Sequence, residues 1–210
     1  MKKVISMFVA LTIALNLSTP ALALPGEAWA LSEHAGGSVS CEIFVADGDR
    51  VTSRLLEVPI PAGTRKADEV EIVRAAVLKV ENIRMPRVND IFTVLSKETS
   101  IPTILDTEFS APWRLVGGGK LTEDSNSLLV EFTGMQYGGG VSKMYIRLIS
   151  QKQAKTWTNE ISPATTDYTY FLKRNGIELK SEDQIEVRAA TDAGYVNVSS
   201  CTVRYTYQAM

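Results

Sequence analysis

The chain has 210 residues, of which 45% are hydrophobic and 22% are charged, and its net charge is −2. This apolar fraction is enough for a core, and the length is that of one ordinary domain. Nucleic acid and anionic membrane surfaces both select a basic protein face. The weak net acidity therefore argues against either as a partner.

The N-terminus has the order of a secretory signal peptide. Lys2 and Lys3 precede an apolar run over residues 4–17, and Ala21-Leu22-Ala23 is a small-x-small cleavage site. The run is too short for a comfortable bilayer crossing, which needs about 20 residues. We therefore expect residues 1–23 to be removed. The mature protein is expected to be secreted, either periplasmic or extracellular, and not embedded in a membrane.

The chain contains two cysteines, Cys41 and Cys201. In an oxidising compartment an even pair most simply forms a disulfide bond. A disulfide here would tie the first strand of the mature domain to the last strand, with a structural role.

The first half predicts a hairpin and one helix. Residues 24–37 are predicted to be a flexible lead-in, and residues 38–46 and 50–60 alternate as strands around the Asp47-Gly48 turn signal. A helix is predicted over residues 67–81, with a capping-box spacing between Asp68 and Glu71. Its apolar stripe recurs at helical intervals and consists of Val70, Val73, Val77 and Val80.

After Pro86 the pattern indicates strands and turns to the end of the chain. The predicted strands are 90–95, 113–116, 127–133, 141–150, 168–173, 184–190 and a long last strand, 195–207. The Gly117–Gly119 and Gly138–Gly140 triplets indicate turns or close backbone approaches. Short strands without interleaved helices predict an antiparallel β-sandwich, as one domain over residues 38–210 with the helix inserted. The rhythm of residues 172–207 resembles the end of jelly-roll modules, which implies an architecture and no ligand.

No motif in the sequence is strong enough to assign catalysis. His34 is the only histidine, which argues against a nucleophilic triad and against a zinc site with histidine ligands. A polysaccharide hydrolase with a carboxylate pair stays open, because that chemistry needs only two acids. Its candidate acids are Asp47, Asp49, Glu108, Glu131, Asp167 and Glu186. Calcium could bind at residues 47–49 or 123–126, but both segments have the composition of ordinary turns. We expect no cofactor and no metal.

Aromatic residues close to turns are the best candidates for a binding surface. Trp113, Tyr137 and Trp157 each lie near a loop, and exposed aromatic rings stack on sugars or anchor protein partners. The first hypothesis is a secreted, non-enzymatic module that binds a glycan or a surface protein through these three residues. The second is a structural subunit of a surface assembly, in which the long last strand pairs with another chain.

Overall fold

The computed structural model describes residues 33–84, 91–95, 99–102, 113–164, 166 and 168–208. The predicted signal peptide lies outside these residues, as do two candidate acids, Glu108 and Asp167. In the described part the fold is mainly β with one helix, and its sheets do not close into a barrel. No helix in the described part is long and apolar enough to span a membrane.

The helix α1 covers Lys66–Val80 and lies between the second and third of fourteen strands. The strands are β1 Gly37–Asp47, β2 Arg50–Ile60, β3 Ile83–Arg84, β4 Ile91–Leu95, β5 Thr99–Pro102, β6 Arg114–Lys120, β7 Ser127–Thr133, β8 Gln136–Gly138, β9 Met144–Ser150, β10 Lys155–Ile161, β11 Tyr168–Arg174, β12 Gln184–Thr191, β13 Tyr195–Val198 and β14 Ser200–Gln208. The predicted hairpin at Asp47-Gly48 is confirmed, since β1 and β2 pair along their whole length.

The strands form three sheets. The large sheet has the order β2-β1-β11-β7-β14-β3, with β4 also paired to β14; the second has the order β10-β9-β12-β6; the third has the order β5-β13-β8. Within the described residues, all strand pairs are antiparallel except one, because β1 and β11 run parallel. The expectation of purely antiparallel pairing is therefore wrong at this position. The long stretch of chain between these two strands provides the crossover that a parallel pair requires.

Two apolar clusters cover the two faces of the large sheet. The main cluster joins side chains of β7, β11 and β14 to those of β9 and β12 in the second sheet. The other cluster lies under the helix and includes residues of β1, β2 and β11. Strand β7 is consequently buried at every position, and β11 at all but its last.

The helix prediction is confirmed to within one residue at each end. Val73 and Val77 are fully buried against the large sheet, whereas Val80 is 41% exposed. The proposed capping box is not formed, because the helix begins earlier, after Arg65, and has no side-chain cap. Asp68 instead accepts hydrogen bonds from the Arg65 side chain at 2.8 and 3.2 Å.

An ion pair fixes the helix on the large sheet. Glu131 on β7 is 1% exposed, and both its oxygens accept hydrogen bonds from Arg74 of the helix, at 2.7 and 2.5 Å. Arg204 on β14 lies 3.8 Å from the same carboxylate. Burial disfavours the charge on Arg74, but the hydrogen bonds to Glu131 and the charge of Glu131 raise the pKa of Arg74. The pair therefore places a charged guanidinium inside a largely apolar layer, where it needs a partner.

The predicted disulfide is wrong. Cys41 and Cys201 are free, and both are buried. Two strands separate β1 from β14, which places the two Cα atoms about 14 Å apart, well beyond the reach of a disulfide. The two thiols also belong to different clusters and lie on opposite faces of the sheet.

The predicted last strand is also corrected, because it breaks at Ser199. The backbone N–H of Ser199 donates to the Thr133 carbonyl at 2.9 Å, and the residues that belong to the main cluster shift from even to odd numbers there. Residues before the break belong to the third sheet, and residues after it to the large sheet. Strand β14 is paired on both sides, so it offers no free edge for another chain.

We predict that neither thiol of the native protein reacts with a thiol reagent, and that both react after denaturation. Burial raises the pKa of Cys41 to about 12 and also raises that of Cys201, so neither forms the reactive thiolate near neutral pH. Thiol titration with and without guanidinium measures this, and a reductant should leave the melting temperature unchanged. A 41–201 linkage in a non-reducing peptide map would contradict the topology.

We predict that Glu131→Gln lowers the free energy of unfolding by about 3 kcal/mol, because it leaves the buried charge of Arg74 without its main partner. Urea denaturation measures the loss. Glu71→Gln is the matched control, since Glu71 also binds Arg74 but is 69% exposed, and its loss should stay below about 1 kcal/mol. Equal losses in the two variants would show that burial of the pair is unimportant.

Candidate functional site

The second sheet presents side chains to solvent on the face turned away from the main cluster. On β9, buried residues alternate with the partly exposed Tyr145, Arg147 and Ile149. Glu186 and Arg188 on β12 follow the same alternation. Thr156 and Thr158 on β10 and Leu115 on β6 complete this surface, which we call the outer face.

The strand register aligns one residue from each strand across the outer face. Thr158 lies opposite Arg147, Arg147 opposite Arg188, and Arg188 opposite Leu115. These four residues form a row, which we call the arginine row. Two like charges placed directly opposite each other weaken a sheet, so each arginine of the row needs a partner that offsets the repulsion.

Arg147 is held by an aromatic ring. Its guanidinium carbon lies 4.0 Å from the centre of the Trp113 ring, within the range of a cation–π contact. Tyr145 meets Trp113 edge-on, with the ring centres 6.5 Å apart. The Nε of Arg147 also donates to the Thr158 hydroxyl at 3.4 Å. Burial and the neighbouring charge of Arg188 both lower the pKa of Arg147.

Arg188 is held by a carboxylate on its own strand. Its Nε and Nη2 donate to the same oxygen of Glu186, at 3.0 and 2.7 Å. The other oxygen of Glu186 accepts a hydrogen bond from Gln151 at 3.0 Å. Both guanidinium groups of the arginine row therefore have an orienting partner, and both remain partly accessible.

The structure does not bring the three predicted aromatic residues together. Trp113 is only 8% exposed and lies with Arg147 on the outer face. Trp157 on β10 lies opposite the buried Leu148 on β9. Its side chain therefore points away from the outer face and packs against the main cluster. Tyr137 belongs to the third sheet, and its hydroxyl donates to the sulfur of Met135 at 3.4 Å. Ligand binding by these residues stays a prediction.

The candidate acids in the described part of the chain do not form one site either. Glu131 lies under the helix, whereas Glu186 lies on the outer face, so the main cluster separates them. Asp47 and Asp49 flank the β1–β2 turn. In the 123–126 turn, Asp124 accepts a hydrogen bond from the backbone N–H of Ser181 at 2.7 Å, which lowers its pKa. Among the described residues, no three His, Cys, Asp or Glu side chains form a group that could hold a metal ion.

The first glycine triplet lies within β6, where it allows the edge of the outer face to form. Gly118 has a φ of 142°, and a Cβ atom there would lie 2.1 Å from the carbonyl oxygen of Ile185. The alternative of a close backbone approach is therefore confirmed for Gly118, and the alternative of a turn is wrong. The second triplet ends β8 and continues into a bend at Gly139 and Gly140.

Sequence reasoning missed Arg147, Arg188 and Leu115. The alternation of residues 144–150 and 184–190 indicates that both arginines lie on solvent-facing positions. No local pattern shows that β9 and β12 are neighbours, so their juxtaposition required the sheet order.

Comparison with known proteins yields little. No protein-family model and no curated protein matches the chain. Among solved structures, the chain is similar to one in the crystal structure of the Aeromonas sobria serine protease and chaperone complex. The identity is 10%, the TM-score is 0.32, and the match covers 84% of this chain. The chain spans 37% of the length of that one. A likeness this weak carries no argument about fold or function.

We predict that Trp157→Ala lowers the free energy of unfolding by about 2 kcal/mol, because it removes a large side chain from the edge of the main cluster. Trp157→Phe should cost less than half of that. Chemical denaturation of the two variants measures both effects. Unchanged stability of Trp157→Ala would instead support the ligand-binding role predicted from the sequence.

Proposed function

We propose that this protein is a secreted, non-enzymatic β-sandwich that binds a glycan or another cell-surface component through the outer face. The N-terminal pattern of residues 1–23 supports export. The main cluster, which joins the large sheet to the second sheet, supports a sandwich architecture.

One observation carries the proposal: the outer face combines oriented polar groups with apolar side chains at the surface. The far face of the large sheet is covered by the helix. The outer face instead keeps Arg147, Arg188 and Ile149 partly exposed, and Leu115 is 48% exposed. A few fixed polar groups among apolar contacts are typical of ligand surfaces, because apolar contacts supply affinity and polar groups supply specificity.

We predict that Leu115→Asp reduces glycan or envelope binding at least about tenfold, because it replaces the exposed apolar side chain at one end of the arginine row with a charge. Binding to a glycan array and to envelope material, at low protein concentration, measures the effect. Leu55→Asp is the matched control, since Leu55 is a 59% exposed leucine on an edge strand of the large sheet. Both variants should keep the melting temperature of the wild type.

Two results would contradict this function. The first is that the wild-type protein retains no glycan and no envelope component. The second is that Leu55→Asp abolishes binding while Leu115→Asp has no effect, because the contact would then lie on the large sheet.

The alternative function is a structural subunit of a surface assembly, and β2 is the observation that favours it. In the described part of the chain, β2 pairs only with β1, so one side of an eleven-residue strand ends the large sheet. Leu55 lies exposed at its centre. Sheet edges of this kind can accept a strand from another chain, although Pro59 reduces the number of backbone N–H donors on the edge.

Size-exclusion chromatography with light scattering separates the two functions. An assembly subunit should increase in mass with concentration, and Leu55→Asp should reduce that increase. A strict monomer at high concentration would remove the assembly alternative and leave the binding module.

A further inference from the structure

We propose that the arginine row is an anion clamp and that the ligand of the outer face is an acidic polysaccharide, held by its carboxylate groups. This inference rests on the proposed function and names the class of glycan. It concerns Arg147 and Arg188 together, with Thr158 and Leu115 at the two ends of the row.

The first argument is the juxtaposition of two positive charges. Arg147 and Arg188 lie directly opposite each other on neighbouring strands, a position at which like charges repel. The lowered pKa of Arg147 reflects its burial and this repulsion. A carboxylate between the two guanidinium groups would be attracted by both, and it would offset the part of their repulsion that the pairing of Arg188 with Glu186 leaves.

The second argument is that both guanidinium groups are oriented before any ligand binds. The Trp113 ring contacts the guanidinium group of Arg147, and the Thr158 hydroxyl accepts a hydrogen bond from the Nε of Arg147. Glu186 accepts from the Nε and Nη2 of Arg188, which leaves the Nη1 edge outside that contact. A guanidinium fork binds a carboxylate through two parallel hydrogen bonds. Groups already held in place lose little side-chain entropy on binding.

The third argument is the mixture of groups around the clamp, which favours a sugar polymer over a small inorganic anion. Leu115 and Ile149 provide apolar contact area beside the arginines, while Thr156 and Thr158 provide exposed hydroxyls. A sugar ring with a carboxylate carries apolar C–H groups, hydroxyls and a negative charge. The overall charge of −2 disfavours unspecific polyanion binding, so the attraction has to be local.

The test compares two polymers with the same backbone, polygalacturonate and its fully methyl-esterified form, by affinity electrophoresis and biolayer interferometry. Wild-type protein should bind the acidic polymer at least about tenfold more tightly than the neutral one, since one charge-assisted contact is worth about that factor. Added salt should weaken binding of the acidic polymer selectively.

Variants assign the effect to the arginine row. Arg147→Gln and Arg188→Gln should each remove most of the preference for the acidic polymer. Arg147→Lys should remove part of it, because it keeps the charge and loses the fork. Arg50→Gln is the matched control, as Arg50 is an exposed arginine on β2, and it should retain the full preference. Thermal denaturation shows whether each variant is folded. If Arg147→Gln does not fold, Arg188→Gln still tests the inference.

The outcomes separate the inference from the function on which it rests. Equal binding of both polymers, or capture of neutral glycans alone, overturns the anion clamp and leaves the binding function standing. A preference for the acidic polymer that survives Arg147→Gln and Arg188→Gln also overturns the clamp. Failure to bind any glycan or envelope component overturns both.

Discussion

The ion pair between Arg74 and Glu131 is the contact on which the placement of the helix depends. Glu131 lies on β7, which is buried at every position, so its charge requires a partner from the layer that contains the helix. Arg74 is that partner, and Val73 and Val77 bring the helix onto the same face. Together with the buried hydrogen bond from the Tyr168 hydroxyl to Glu69 of the helix, this ion pair fixes the position of the helix along the sheet.

That placement determines which surfaces remain for function. The helix covers one face of the large sheet and the second sheet covers the other. In the described part of the chain the large sheet covers one face of the second sheet, and alternate residues such as Arg147 and Arg188 are partly exposed on the outer face. Because Gly118 has no Cβ atom, β6 can approach β12 closely, which extends this face to Leu115. The arginine row therefore lies on a rigid, hydrogen-bonded scaffold, as a binding group needs.

The cysteines show how a correct compositional rule gives a wrong pairing. An even number of cysteines in an exported chain favours a disulfide, and both lie in strands as predicted. Cys41 and Cys201 nevertheless point to opposite faces, with β11 and β7 between their strands. Here the thiols are small apolar side chains of two different clusters, and packing provides the stability that the disulfide was expected to provide.

The sequence by itself determined the elements whose cause is local. Apolar alternation predicted β7, β11 and β12 closely, Asp47-Gly48 predicted the first hairpin, and the valine spacing predicted the helix. The tertiary structure decided the sheet order, the parallel β1–β11 pair, the break at Ser199 and the meeting of Arg147 with Arg188. Strand partners that are distant along the chain are selected by the burial of whole faces and by the path of the connections. Neither the burial of whole faces nor the path of the connections can be read from a local sequence pattern. The candidate site depends on both.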